Sequence, residues 1–379
     1  MAFNYFNNSS VVGKGASNSS RRIDDLDAAR QFGSTLFSFS SFTFTSANKT
    51  GRTPPTKGEL LQHYDNSTYN WLNDTTFFNT DEDNGAAGVQ MFTVPVTTSY
   101  TITMRGGSGG FPYDASTRVG RAATVQATFD FTKGDVLRIV VGQVARPTTA
   151  AGTNSYNSGG GGGSYVFYTL SDNEPLIVAG GGGGGSWSGT SSLRPDAAGD
   201  LTGNPGYYVT NEGTLRAGGA LVPNQSLGYG GYNNNSVGHK AGGGAGWKGN
   251  GLGGNSLCSV NSPYHVQGGW YKGKTLSTAS NTSNGSPFMG GSGGAQGAGN
   301  AAYEGGFGGG GGGTGRCGSC QAGGGGGYTG GGISTSTDTS PTKESLAGGG
   351  NYVNSSGSST SFVGYGNAGD QGYVTIASA

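Results

Sequence analysis

The stretch EPLIVAGGGGGGSW (residues 174–187) joins an apolar, strand-like segment directly to six consecutive glycines. Nothing else in the chain constrains its fold so strongly. Glycine loses more backbone freedom on ordering than any other residue. Such a run is therefore either a flexible spacer or part of a structure that supplies many compensating contacts. Comparable runs are bounded by Gly159 and Gly163, Gly180 and Gly185, Gly308 and Gly313, and Gly323 and Gly327.

Glycine supplies 81 of 379 residues, about three times the usual share of roughly 7%. Collagen is excluded, because no Gly-X-Y register holds and there are only 12 prolines. Disorder fits poorly with 21 basic and 21 acidic residues and with 19 Tyr, 17 Phe and 4 Trp. A glycine run has only its N–H and C=O groups to offer, and once buried they all need partners. Extended threefold helices packed side by side meet that need, and only glycine lets their backbones approach so closely. An ordered polyglycine bundle is thus the expectation, with Trp187, Tyr229, Tyr232, Trp247, Trp270, Tyr271, Tyr303, Phe307 and Tyr328 capping or flanking the runs.

Outside the runs the pattern is β. SYTITM puts Tyr100, Ile102 and Met104 on one face, and TVQATFDF does the same for Val125, Ala127, Phe129 and Phe131. GDVLRIVVGQ, SYVFYTL and PLIVAG follow, and GYVTIA closes the chain. If that last strand pairs with the early ones, the glycine-rich part is an insertion held at both ends. Between about residues 180 and 370 no strand signal is expected. The first 80 residues are poor in glycine. RIDDLDAARQFG reads as a short helix, LFSFSSFTFT as a strand with a bulge at Ser40 and Ser41, and TPPTKGELLQHY as a helix with a Thr56/Glu59 capping box. The expected fold is mainly β: a jelly roll or β-sandwich over residues 81–379 with an inserted polyglycine bundle at about 180–370. A small α/β docking segment, residues 1–80, precedes it.

Chemistry is scarce. At this composition G-x-G-x-x-G arises by chance roughly once per hundred positions and carries no weight. GGSGG, present twice, has neither the strand–helix setting of a nucleophile elbow nor an evident base. Cys317 and Cys320 form a C-x-x-C, but Cys258, His239 and His265 offer no paired spacing for zinc. Free thiols and a local disulfide both remain open. His63 sits on a short helix as an ordinary surface or core residue. No catalytic residues, no metal and no cofactor are expected, and the chain reads as no enzyme. Neutral charge argues against nucleic acid, and no apolar stretch approaches the ~20 residues of a membrane span. The amino terminus lacks the apolar core of a secretory signal, which points to cytoplasmic synthesis.

Binding remains. The loops around SLGYGGYNNNSVGHKAGGGAGWKG and CSVNSPYHVQGGWYKGK mix aromatics with Asn, Ser and Gly, as antibody loops do. The expected recognition surface comprises Tyr207, Tyr208, Tyr229, Tyr232, Trp247, Tyr264, Trp270 and Tyr271. The alternative is that these rings pack against the glycine runs.

EPLIVAGGGGGGS, GDVLRIVVGQ, GGGGGSYVFY and GGFGGGGGGTG…GGGGGYTGGG, within residues 89–379, resemble the glycine-rich module of the anaplastic lymphoma kinase and leukocyte tyrosine kinase receptors. That resemblance implies a tumour-necrosis-factor-like jelly roll with polyglycine helices and an extracellular ligand-binding role. TGRTPPTKGELLQHY and GVQMFTVPVTTSYTITMRGGSGG resemble segments of glycine-rich virion proteins of tailed phages. This second resemblance implies a virion location and a tail-fibre or appendage adhesin contacting a host glycan or protein. It also implies a homo-oligomer docked to other virion proteins through its amino-terminal segment. A head decoration or head-fibre role is its structural alternative.

Overall fold

The computed structural model describes residues 35–111, 118–146, 157–186, 193–209, 215–217, 227–231, 241–252, 272, 287–291, 303–313, 321–332 and 346–379. Two antiparallel sheets dominate it. The first, in spatial order, holds β1 (Ser41–Thr45), β13 (Tyr373–Ser378), β4 (Thr98–Arg105), β5 (Ala123–Phe131) and β12 (Ser358–Tyr365). The second holds β11 (Tyr352–Val353), β8 (Ile177–Ala179), β7 (Ser164–Phe167), β6 (Val136–Val140), β3 (Ala86–Thr93) and β2 (Phe78–Asp81). A separate hairpin pairs β9 (Tyr207–Val209) with β10 (Leu215–Ala217).

Period-two patterning builds the main core. Tyr100, Ile102 and Met104 of β4 and Val125, Ala127, Phe129 and Phe131 of β5 face Phe92, Leu137, Ile139, Val166 and Ile177 across the sandwich. The last strand pairs with β4 throughout, Tyr373 opposite Arg105 and Ser378 opposite Tyr100, so both ends of the glycine-rich part are anchored.

The second sheet is buried on its other face too. Tyr165, Phe167, Val178, Val140 and Val89 form a second core, closed from outside by Trp247, Phe288, Phe307 and Tyr328. Burial on both faces explains why SYVF and LIVA read as continuous apolar runs rather than alternating ones.

The division expected at residue 80 falls inside β2, and both sheets reach across it. β1 pairs with β13, and β2 pairs with β3. The capping box forms as read: the Glu59 amide donates to Thr56 Oγ1 at 3.3 Å and the Thr56 amide to Glu59 Oε2 at 2.8 Å, starting α1 (Lys57–His63). The hydrogen bond from Lys49, then that from the Thr56 backbone, holds the Glu59 carboxyl down at about 2. The phase break at Ser40 is real, but it is a bend ahead of β1 rather than a bulge within it. Phe37 and Phe39 pack on the same core as Phe42 and Phe44. The RIDDLDAARQFG segment lies outside the described residues.

Strand signal was not expected between 180 and 370, yet β9 to β12 lie there. β12 escapes a periodicity search because SSTSFVGY is Ser-rich, lies at a sheet edge and slips register twice against β5.

The glycine runs continue the strands. Residues 106–110 extend β4, 180–185 extend β8, and 157–163 lead into β7. Their amides bond to other runs in a repeating order. Gly323 and Gly326 donate to Ser158 and Gly161; Gly324 and Gly327 donate to Gly242 and Ala245; Gly325 donates to Ala347. Likewise Gly181 and Gly184 reach Gly326 and Gly323, while Gly182 and Gly185 reach Gly107 and Gly110. Residues three apart thus address the same neighbour. The packing leaves no space for a side chain: a Cβ on Gly182 would lie 2.0 Å from the Gly120 carbonyl oxygen. The stretch from Gly308 to Gly313 opens with a turn, Gly308 and Gly309 having φ of +101° and +84°, and is extended only afterwards.

Candidate recognition surface

Of the eight expected recognition residues, three side chains are described. Tyr207, on β9, is 57% exposed and Tyr229 is 38% exposed. Trp247 is 0% exposed and belongs to the second core, stacked at 6.1 Å on Tyr165 and edge-on at 5.2 Å to Phe167. A buried aromatic ring removes roughly 150–250 Å² from water, worth about 4–6 kcal/mol at ~25 cal/mol/Å², so this ring closes the fold and is not free for a partner. Tyr208 is described in its backbone alone, and Tyr232, Tyr264, Trp270 and Tyr271 lie outside the described residues, as do Trp187 and all three cysteines. Tyr303, Phe307 and Tyr328 are buried as well. For these rings, packing within the fold is the role that holds.

Tyr229 is placed by the glycine network. Its carbonyl accepts from Gly330, and the Leu252 amide donates to the Gly231 carbonyl at 3.0 Å. Leu227 and Leu252 stand exposed on the same two hydrogen-bonded segments. Tyr207 projects from the short hairpin. Exposed Tyr365 and Val363 lie on β12, where the Arg121 guanidinium sits 4.7 Å above the Tyr365 ring. Arg121 also bridges to Asp196 at 2.5 Å, a hydrogen bond that raises its pKa.

A denser polar and aromatic cluster was not anticipated. It gathers the β7–β8 turn, residues 247–248, Lys272, Tyr328 and β11. Glu174 pairs with Lys248 at 2.7 Å and accepts from the Tyr328 hydroxyl at 2.5 Å. Tyr328 stacks on Tyr352 with centroids 4.0 Å apart at 9°. The Lys272 ammonium lies 4.2 Å over the Trp247 ring and donates to the Asp172 carbonyl, while the Trp247 indole donates to the Asn173 carbonyl at 3.0 Å. Burial, then the bond to Glu174, pushes the Tyr328 hydroxyl up; desolvation pulls the Lys272 ammonium down. Glu174 stood in full view beside the six glycines, but a single acid in a turn carries no signal of its own. The cluster is paired internally, which suits it to locking the insertion onto β8.

Among the described residues, no group of three or more His, Cys, Asp or Glu converges on a point where a metal could sit, and no helix is long and apolar enough to cross a membrane. No protein-family model matches the chain, and no curated protein matches its sequence.

Proposed function

We propose that the protein is a structural component of a tailed-phage virion: a tail-fibre or appendage adhesin that contacts the host surface. Its glycine runs form a bundle of threefold polyglycine helices. Residues 1–80 provide the contact with other virion proteins, and the chain assembles as a homo-oligomer on the particle.

The observation that carries this reading is the pairing of exposed Tyr207, Tyr229, Leu227 and Leu252 with a frame bonded backbone to backbone. Amides three apart addressing one neighbour are what a helix of three residues per turn delivers. No residue of 159–163, 180–185, 310–313 or 323–327 has a positive φ, which also supports extended threefold helices. The runs bond to one another backbone to backbone, which leaves an exposed ring such as Tyr229 at their surface available to a partner. Tyrosine gives large, rigid contact area at low entropic cost, suited to a host glycan or protein.

Adsorption competition tests the reading. Purified protein is expected to bind host cells and slow phage adsorption, and the combined variant Tyr207→Ala/Tyr229→Ala to do so at least about tenfold less well, a change of about 1.4 kcal/mol. Protein that neither binds cells nor blocks infection overturns the adhesin role. Immunogold labelling confined to the head would assign decoration instead.

A further inference from the structure

A cleft of about 380 Å³ lies between the segment entering β1 and the residues that follow α1. Its size falls in the lower part of the roughly 300–1,000 Å³ range of small-ligand sites. Phe37, Phe39, Tyr69 and Trp71 supply its rings. They are held firmly: Phe37 stacks on Trp71 at 5.1 Å and 18°, and Tyr69 packs edge-on to Phe42 at 5.0 Å and 81°. The Tyr69 ring nevertheless stays 37% exposed.

The other five of the nine lining residues, among them Ser38, Ser40, Thr68 and Asn70, end in a hydroxyl or an amide. Thr68 donates to Asp65 at 2.6 Å. The side chains of Ser38, Ser40, Ser41 and Asn70 bond to no described residue. This contrasts with nearby polar groups such as Ser67, which donates to Asp65 at 2.5 Å. The lining contains no Lys, Arg, Asp or Glu.

We infer that this cleft is a binding site for a neutral carbohydrate, with room for a mono- or disaccharide unit. A pyranose ring presents an apolar C–H face and a periphery of hydroxyls. Exposed Tyr69 and half-buried Phe37 and Phe39, beside uncommitted hydroxyl and amide groups, match both. An anionic ligand would call for the cations the lining lacks, and an apolar peptide anchor for a dry slot rather than one rimmed by serines. The lining includes neither Tyr207 nor Tyr229, and the inference does not rest on the adhesin reading.

The test is saturation-transfer NMR and calorimetry on the full chain with maltotriose, chitotriose and lactose, and with sialyllactose as an acidic probe. Saturable binding of at least one neutral sugar is expected. Asn70→Ala should weaken it at least about tenfold, Ser38→Trp should abolish it by filling the cleft, and Tyr229→Ala should leave it unchanged. Asn70 and Ser38 are exposed, so both variants keep the fold. No saturable binding of any neutral probe, binding of sialyllactose alone, or binding indifferent to both cleft substitutions overturns the assignment.

Discussion

At the scale of single residues, two glycines in different surroundings separate the roles glycine plays here. Gly182 lies inside the network, donating to the Gly107 carbonyl at 3.1 Å and accepting from Gly161 at 2.8 Å. Its added Cβ would meet the Gly120 carbonyl oxygen at 2.0 Å, and backbone cannot rotate away as a side chain can. Gly182→Ala is therefore expected to cost about 3 kcal/mol or more, at or above the top of the usual overpacking range. Gly58 sits in the first turn of α1 with nothing within 4 Å of the same atom. Gly58→Ala should raise stability by about 0.4–1 kcal/mol by restricting the unfolded chain. Urea unfolding of both variants checks the pair. Equal, small effects would mean that the runs behave as spacers. The opening sequence feature, six glycines abutting LIVA, allowed either outcome; the carbonyl beside Gly182 could not be read from it.

At the scale of elements, alternation made β4, β5 and β13 legible, and the Thr56/Glu59 spacing did the same for α1. Strands β9 to β11 are two or three residues long and β12 is polar, so none offers a periodic signal. The fate of Trp247 was illegible for a different reason. A ring flanked by glycines reads alike whether it points to solvent or into a second core, and only the apolar outer face of β7 and β8 decides it. The same scale holds the lock on the insertion. Asn351, just before β11, is fully buried; its Oδ1 accepts from Gly180 at 2.7 Å, and its Nδ2 donates to the carbonyls of Ala198 at 2.8 Å and Asp200 at 2.9 Å. It thereby ties the outgoing run at Gly180, the first loop beyond it and the returning run together. Asn351→Leu leaves one buried donor and two acceptors without their partner. Asp200 is exposed and its carbonyl can turn to water, so at about 1–3 kcal/mol for each of the two buried groups stranded a loss of about 2–6 kcal/mol is expected in denaturant melts. A loss below about 1 kcal/mol would show that the insertion is held elsewhere.

At the scale of the whole molecule, the sandwich and the glycine runs share chain, hydrogen bonds and core. Runs continue β4 and β8 without an intervening loop. Ala123, the first residue of β5, donates to Gly180, and Gly372, beside β13, donates to Gly142. The second core draws six buried residues from the sheet and four from the glycine-rich segment, with Tyr165 of β7 donating to the Gly327 carbonyl at 3.0 Å. β1 pairs with β13 across almost the whole chain, so of the first sheet only the β4–β5 pair can close before the insertion has been accommodated. Neither layer has a surface along which it could part from the other without stranding backbone groups. The described structure should therefore unfold as one cooperative unit. Calorimetry is expected to give a single transition whose calorimetric and van't Hoff enthalpies agree. Native-state hydrogen exchange should find the amides of Gly324, Gly325 and Gly326 as strongly protected as that of Ile102 in β4. Two resolved transitions, or glycine amides that exchange through local opening while Ile102 stays closed, would show the runs to be an appendage of the sandwich. In that event the rigid placement of Tyr229 that the proposed adhesin role requires would be lost as well.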